Sequence, residues 1–297
     1  MKAVHVGFPK TATTFLQTAV FPGLVSPGFV YVPQEASIRL FASLIDDDDT
    51  IYNPAMMAER LLETVGASEA VLFSYEGLTG HHYRSGFMNR SQIARRLKQA
   101  GFDRVLITIR NQFDALESAY KQYIKGGGVL RFREYITFDE SRTRYLDPRY
   151  FDYHLIYDLY GSTFGPSNVL VLQYERLREP EFLETLSRFL CARASDIEWG
   201  DSFNRSLSFE KMALLRICNH FTYSSLHPST LISKRVSTSA VHRLMSRLPF
   251  GNSDRSFHDE GTRASVARFY ADSNRRLAEA ARVALTSSYP GFDGGES

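Results

Sequence analysis

The chain has 297 residues, with 35 Lys or Arg against 33 Asp or Glu and a formal net charge of +2, so no broad field of one sign marks out a partner. Hydrophobic residues make up 43% and charged residues 23%, proportions that exclude a disordered or fibrous chain and allow one large core or two small ones. Two cysteines, Cys191 and Cys218, exclude a disulfide scaffold and fit a reducing compartment.

No apolar run approaches the ~20 residues of a spanning helix. The N-terminus, where Lys2 and a short apolar stretch run into Pro9 and Lys10, does not read as a secretory leader. The expectation is a soluble, cytoplasmic protein with no membrane span. Lys and Arg are scattered, with no basic arm for nucleic acid.

In chain order, a short strand over residues 2–6 leads through Gly7-Phe8-Pro9-Lys10-Thr11 into a helix from about Ala12 to Phe21. Further strands are predicted over residues 29–32, 71–75, 104–109 and 169–173, all short and almost continuously apolar, as suits parallel strands covered on both faces. Helical patterns lie between them at residues 56–65, 91–100 and 115–124. Strand alternating with helix predicts an α/β fold with a central parallel sheet flanked by helices.

Beyond Gln173 the patterns at residues 181–190, 210–221 and 263–285 are helical, so the C-terminal part is expected to be mostly α. Gly126-Gly127-Gly128 and residues 223–238 read as loops, and Asp46 to Asp49 as a solvated acidic loop rather than a metal site. The expected organisation is one domain over residues 1–297. It comprises an α/β nucleotide-binding core over 1–177, a mostly helical part over 178–289 and a frayed tail over 290–297.

A strand, a glycine, a tight loop and a threonine-rich helix start form an anion cradle. The first helical N–H groups lack intrahelical acceptors and carry the positive end of the dipole. Thr11, Thr13 and Thr14 add hydroxyl donors and Lys10 an ammonium. The alternative is an ordinary strand-to-helix turn whose threonines only cap the helix. The loop is P-loop-like without being a Walker A loop, because Lys10 follows Gly7 by three residues with no glycine before it. Residues 71–75 do not end in an Asp to help hold Mg²⁺, which disfavours an ordinary NTPase or kinase.

Gly7-Phe8-Pro9-Lys10-Thr11-Ala12-Thr13-Thr14 resembles the 5′-phosphosulfate loop of sulfotransferases that use 3′-phosphoadenosine 5′-phosphosulfate (PAPS), with Ala12 where that family usually has Gly. A second stretch, from Arg110 through Asn111-Gln112-Phe113-Asp114 to Ser118, resembles the family's 3′-phosphate motif. Independently of the resemblance, an Arg at the carboxyl end of a strand points into the crevice where α/β sheets bind ligands, and its fork suits phosphate oxygens.

Tyr120 to Gly127, Phe164 to Leu177, Phe203 to Ser208 and Ser273 to Leu277 are similar to later blocks of a soluble bacterial, carbohydrate-type branch. The resemblance runs from Gly7 to about Leu277.

What the resemblance implies is metal-independent, in-line transfer of a sulfuryl group from PAPS to a hydroxyl of a glycan or small-molecule acceptor, leaving 3′-phosphoadenosine 5′-phosphate. Lys10 would meet charge on the bridging oxygen, and Lys10, Thr11, Ala12, Thr13, Thr14, Arg110 and Ser118 would hold the nucleotide, with Tyr174 and Arg205 added on family analogy. Two glutamates compete for the base: Glu76 after the strand at 71–75 and Glu35 after the strand at 29–32, the latter resembling the base position of some glycan sulfotransferases. Either could instead cap a neighbouring helix.

His81 and His82 are further candidates, though more simply a solvated loop pair, and His5 reads as structural. Arginines at 131, 133, 142, 144 and 149 among tyrosines suit a polar or anionic saccharide as well as they suit amphipathic helices. Competing readings are a noncanonical P-loop kinase using ATP and Mg²⁺ and a catalytically silent nucleotide-binding protein.

Overall fold

The computed structural model describes residues 1–66, 68–80, 89–139, 145–194, 197, 207–224, 226, 238–247, 249 and 255–292, without the side chains of 238–240. His81, His82, Arg142, Arg144 and Arg205 lie outside the described residues.

Five strands build the main sheet: β1 (Lys2–Gly7), β3 (Phe29–Tyr31), β4 (Ala70–Ser74), β5 (Arg104–Ile109) and β6 (Val169–Gln173). They stand in the order β3-β4-β1-β5-β6, every pair parallel. The continuous apolarity of the strands has its cause here. Val4, Val6, Val71, Leu72, Phe73, Val105, Leu106 and Ile109 are all fully buried, because helices cover both faces. Two short strands that the sequence pattern does not announce, β2 (Leu24–Val25) and β7 (Arg193–Ala194), form a separate antiparallel pair.

β1 lies between β4 and β5. The chain leaves β1 toward the β3 edge, returns through β4 and then crosses to β5. The direction of winding therefore reverses beside β1, and the carboxyl ends of these strands bound the crevice where such sheets take ligands.

Contacts divide the chain into two compact units. The first comprises Met1–Asn111, Arg149–Trp199 and Tyr270–Ser297, and holds the whole main sheet. Its core is aromatic: Phe73 packs against Phe41 and Phe102 at 5.6 and 5.5 Å between ring centroids. Phe41 lies on a helix, Gln34–Asp46, that the sequence reading did not separate from its surroundings.

The acidic run after that helix docks on Arg96, which is fully buried. Its Nη1 donates to the carbonyls of Leu44 and Asp47, both at 2.8 Å, and its Nη2 to the Asp49 carboxylate at 2.8 Å. Bonds from Gln92, Arg95 and Arg96 hold the Asp49 carboxyl down at about 2. Pro290, expected to open a frayed tail, is buried, and its carbonyl accepts from Asn274 Nδ2 at 3.0 Å. The adjacent Tyr289 is fully buried too.

The second unit, Gln112–Pro148 and Gly200–Phe269, is helical among its described residues. The helix Gln112–Lys125 ends in the triple glycine, which is a packed turn rather than a loose loop. A side chain on Gly128 would meet the Tyr123 ring at 2.2 Å, and buried Asn219 donates to the carbonyls of Ile124 and Gly128 at 2.8 and 2.9 Å. Among the described residues, those after β6 are mostly helical, as the fold class expected from the sequence has it. No helix among the described residues is long and apolar enough to cross a membrane.

Phe73→Ala removes the ring that joins the sheet to Phe41 and Phe102, and is expected to cost about 3–5 kcal/mol in urea-induced unfolding.

Candidate functional site

The loop after β1 turns through left-handed backbone at two residues that are not glycine, Lys10 (φ 68°) and Ala12 (φ 59°). This explains why glycine suits the position of Ala12: a Cβ in this region crowds the following carbonyl by roughly 1–2 kcal/mol. The helix expected over Ala12 to Phe21 begins at Thr13 as a single α turn, Thr13–Phe15, and continues as a π-helical stretch, Leu16–Val20. Its wider turn is closed by Phe21 N–H donating to the Leu16 carbonyl at 2.7 Å.

The loop is pinned from within. Phe8 is fully buried against Tyr150 and Tyr153, at 5.5 and 4.8 Å between centroids. Thr11 is buried and its hydroxyl donates to the Phe8 carbonyl at 2.7 Å. Thr11 can therefore offer a ligand its backbone N–H but not a free hydroxyl proton. Lys10 and Thr14 are exposed, and Ala12 is half-buried between them.

Glu76 comes to this loop from the carboxyl end of β4. Thr13 Oγ1 donates to its Oε1. Burial pushes the Glu76 carboxyl up to about 7, and the Lys10 ammonium opposes that rise. Glu76 opens a short 3₁₀ turn, Glu76–Thr79, fastened from beneath. The Thr79 hydroxyl donates to the Glu76 carbonyl at 2.8 Å, and buried Arg90 donates through Nε to the Thr79 carbonyl at 2.7 Å and through Nη2 to that of Tyr150 at 2.9 Å.

Arg110 arrives from the end of β5. Its Nη1 donates to the Lys10 carbonyl at 3.3 Å, and its guanidinium lies over the Tyr174 ring at 4.6 Å. Four residues moor its backbone: Tyr153, Asn111, Glu175 and Tyr289. The Tyr153 hydroxyl donates to the Arg110 carbonyl at 2.7 Å. Asn111 donates through its backbone N–H and its side-chain amide to Glu175 Oε1 at 2.8 and 2.9 Å, while Tyr289 donates to Glu175 Oε2 at 2.9 Å. The adjacency of Glu175 to Tyr174 was the available signal, but nothing local tied it to Asn111.

The structure thus joins Lys10, Thr11, Ala12, Thr13, Thr14, Glu76, Arg110 and Tyr174 along one edge of the sheet. Ser118 sits on the helix Gln112–Lys125 of the second unit. Glu35 is exposed in the first turn of the helix Gln34–Asp46 and lines a cavity of about 690 Å³ with Gln17, Thr18, Tyr31 and Gln34. His5, expected to be structural, is fully buried inside β1.

Ala12→Gly should relieve the left-handed strain of roughly 1–2 kcal/mol, less the 0.4–1 kcal/mol or so that glycine gives back in unfolded-chain entropy. A gain of about 0–1.6 kcal/mol in urea-induced unfolding is the expected outcome, and a loss would mean that the alanine methyl makes contacts outweighing its strain.

No protein-family model matches the chain, and no curated protein sequence matches it. The sulfotransferase of Alicyclobacillus acidocaldarius, a solved structure, superposes on it with a TM-score of 0.57 over 96% of this chain and 97% of its own, at 17% sequence identity. At that identity the likeness is one of fold. The chain has a sulfotransferase-like α/β fold, a central parallel sheet flanked by helices.

Proposed function

We propose that this protein transfers a sulfuryl group from PAPS to a hydroxyl of a glycan or small-molecule acceptor. The observation that carries the reading is the convergence, at the carboxyl edge of β1, β4 and β5, of an exposed lysine, a carboxyl poised near neutrality and an arginine beside the same loop. The sulfotransferase-like fold supports it, as do the two sequence motifs.

In this reading the loop N–H groups, those of Thr11, Ala12 and Thr13 among them, and the hydroxyl of Thr14 hold the 5′-phosphosulfate, while the Thr13 hydroxyl stays on Glu76. Arg110, stacked on Tyr174, grips the 3′-phosphate, with Ser118 and Arg205 as further contributors from their sequence motifs. The acceptor hydroxyl gives its proton to Glu76 as its oxygen bonds to sulfur. The bond from sulfur to the bridging oxygen breaks in line, and its electron pair stays on the 5′-phosphate of the departing 3′-phosphoadenosine 5′-phosphate. Lys10 meets that charge, as preorganised cations do in phosphoryl transfer, so the step requires no metal ion. Glu76 is preferred to Glu35 as base because it is partly buried, bonded to Thr13 and poised to take a proton near pH 7.

Calorimetric titration with adenosine 3′,5′-bisphosphate in EDTA, beside ATP with Mg²⁺, tests the donor. Tight binding of the bisphosphate alone is expected, with Arg110→Ala erasing the preference for a 3′-phosphate. Preference for ATP with Mg²⁺ would replace this reading with a kinase, and bisphosphate binding without sulfuryl transfer to any of a panel of sugars would make the protein a silent binder.

Lys10→Ala should lower turnover about 10²–10³-fold while changing nucleotide affinity far less. Equal turnover would remove its role at the bridging oxygen.

A base must be unprotonated to act, so turnover should rise with pH through about 7, the value to which burial raises Glu76. Glu76→Gln should cost about 10²–10⁴-fold and abolish that acid limb; a limb that persists in Glu76→Gln and vanishes in Glu35→Gln would transfer the role to Glu35.

A further inference from the structure

Beneath the loop lies a cluster of buried polar groups drawn from β1, β4, β5 and the first helix, and single protons fix the direction of its bonds from Thr11 back to His5. The Thr11 hydroxyl lies 2.7 Å from the Phe8 carbonyl, which can only accept, so the one Thr11 proton goes there. Thr108 Oγ1, 2.8 Å from Thr11 Oγ1, must therefore be the donor of that pair. Its proton thus used, Thr108 can only accept from His5 Nε2 at 2.9 Å, which places a proton on Nε2.

On the other side of the ring, His5 Nδ1 stands 2.7 Å from Ser74 Oγ, and Gln17 Nε2 donates to the same oxygen at 3.0 Å. His5, Ser74 and Thr11 are at most 1% exposed, and Thr108 likewise. Burial drives the His5 imidazole down to about 3, so it is neutral and Nδ1 is free to accept from the Ser74 hydroxyl. One directed chain results: Gln17 to Ser74, Ser74 to His5, His5 to Thr108, Thr108 to Thr11, Thr11 to the Phe8 carbonyl.

We infer that His5 is a positioning residue, held as its neutral Nε2–H tautomer, that fixes the left-handed anion loop by relaying this chain of hydrogen bonds from Gln17 to Thr11. A second observation agrees. A methyl group on Gly7 would come within 2.4 Å of Thr13 Cγ2 and within 2.8 and 2.9 Å of His5 Cε1 and Nε2, so the glycine leaves the room that the ring and the helix start share. The loop bends twice through strained backbone, at Lys10 and Ala12, and the Thr11 hydroxyl sits between those two bends. An isolated threonine could rotate its proton elsewhere; fed by Thr108 and His5, it cannot without leaving a buried acceptor unmet. That the loop so fixed holds a phosphosulfate rests on the function proposed above, whereas the tautomer and the hold on the loop do not.

The test uses the full chain. A ¹H–¹⁵N correlation spectrum of its histidine side chains should show His5 in the Nε2–H form and unchanged between pH 5 and pH 8, below the ~6.5 and above it at which a solvated imidazole titrates. An Nδ1–H signature, or protonation in that window, overturns the inference.

Amide hydrogen exchange then reads the loop. Thr108→Val keeps the shape of the relay and removes its hydroxyl. Exchange at Thr11 to Thr14 should quicken about tenfold with the sheet amides unchanged, the effect of losing one buried hydrogen bond. His5→Phe should do the same, and His5→Gln, whose amide can still donate toward Thr108, should restore slow exchange. Unchanged loop exchange in Thr108→Val, or equal exchange in His5→Phe and His5→Gln, overturns the positioning role.

Adenosine 3′,5′-bisphosphate is titrated in parallel. If the unsubstituted protein fails to bind it while the tautomer and exchange results come out as expected, the sulfuryl-transfer reading falls and the positioning role stands. If it binds, affinity should drop in Thr108→Val and recover in His5→Gln relative to His5→Phe.

Discussion

The candidate site depends on a loop bent twice against the preference of L-residues. Lys10 and Ala12 both occupy left-handed backbone, at a cost of roughly 1–2 kcal/mol apiece. Such a conformation persists only where its surroundings over-determine it. Here they do: Phe8 is sunk into an aromatic cluster, and Thr11 bonds back to the Phe8 carbonyl while Thr108 bonds to Thr11. The result is a backbone whose N–H groups at the helix start are fixed in place, as the proposed binding of a phosphosulfate requires. Preorganisation of this kind is what a transfer reaction with little covalent chemistry for the protein to do asks of it.

The two side chains that meet this loop are held with comparable care. Glu76 starts a short turn anchored by Thr79, Tyr150 and the buried guanidinium of Arg90. Arg110 follows a β-strand, and its backbone is fixed by Tyr153 and, through Asn111 and Glu175, by Tyr289. Arg90 and Glu175 thus brace the residues of the candidate site. Glu175 in particular satisfies donors from three sources with one carboxylate, Asn111 N–H, the Asn111 amide and Tyr289, so loss of that carboxylate would leave several groups without their bonds at once.

Burial tunes these groups in opposite directions. Glu76, partly out of water, has its carboxyl raised toward neutrality, while His5, wholly out of water, is kept neutral by the same desolvation acting on a base. Glu76 is left able to take up and give back a proton near pH 7. His5 is confined to hydrogen bonding. The different outcomes follow from the sign of each group's charged form, which residue type gives, and from its depth, which residue type does not.

The sequence by itself determined the architecture. Short, continuously apolar runs alternating with amphipathic ones left a covered parallel sheet as the simplest solution, and all five strands of the main sheet lie within one residue of where the pattern puts them, because period and apolarity are local properties. Lys10, Arg110 and Glu76 were legible for a related reason: each stands just past the carboxyl end of a predicted strand, and parallel strands bring those ends to one edge. What the pattern could not show was the company they keep. The bond from Thr13 to Glu76 and the mooring of Arg110 by Tyr153, Glu175 and Tyr289 join residues tens to more than a hundred positions apart. Which polar groups share a buried space, and therefore which of them titrate, donate or stay inert, was decided only when the tertiary structure set them side by side and removed the water between them.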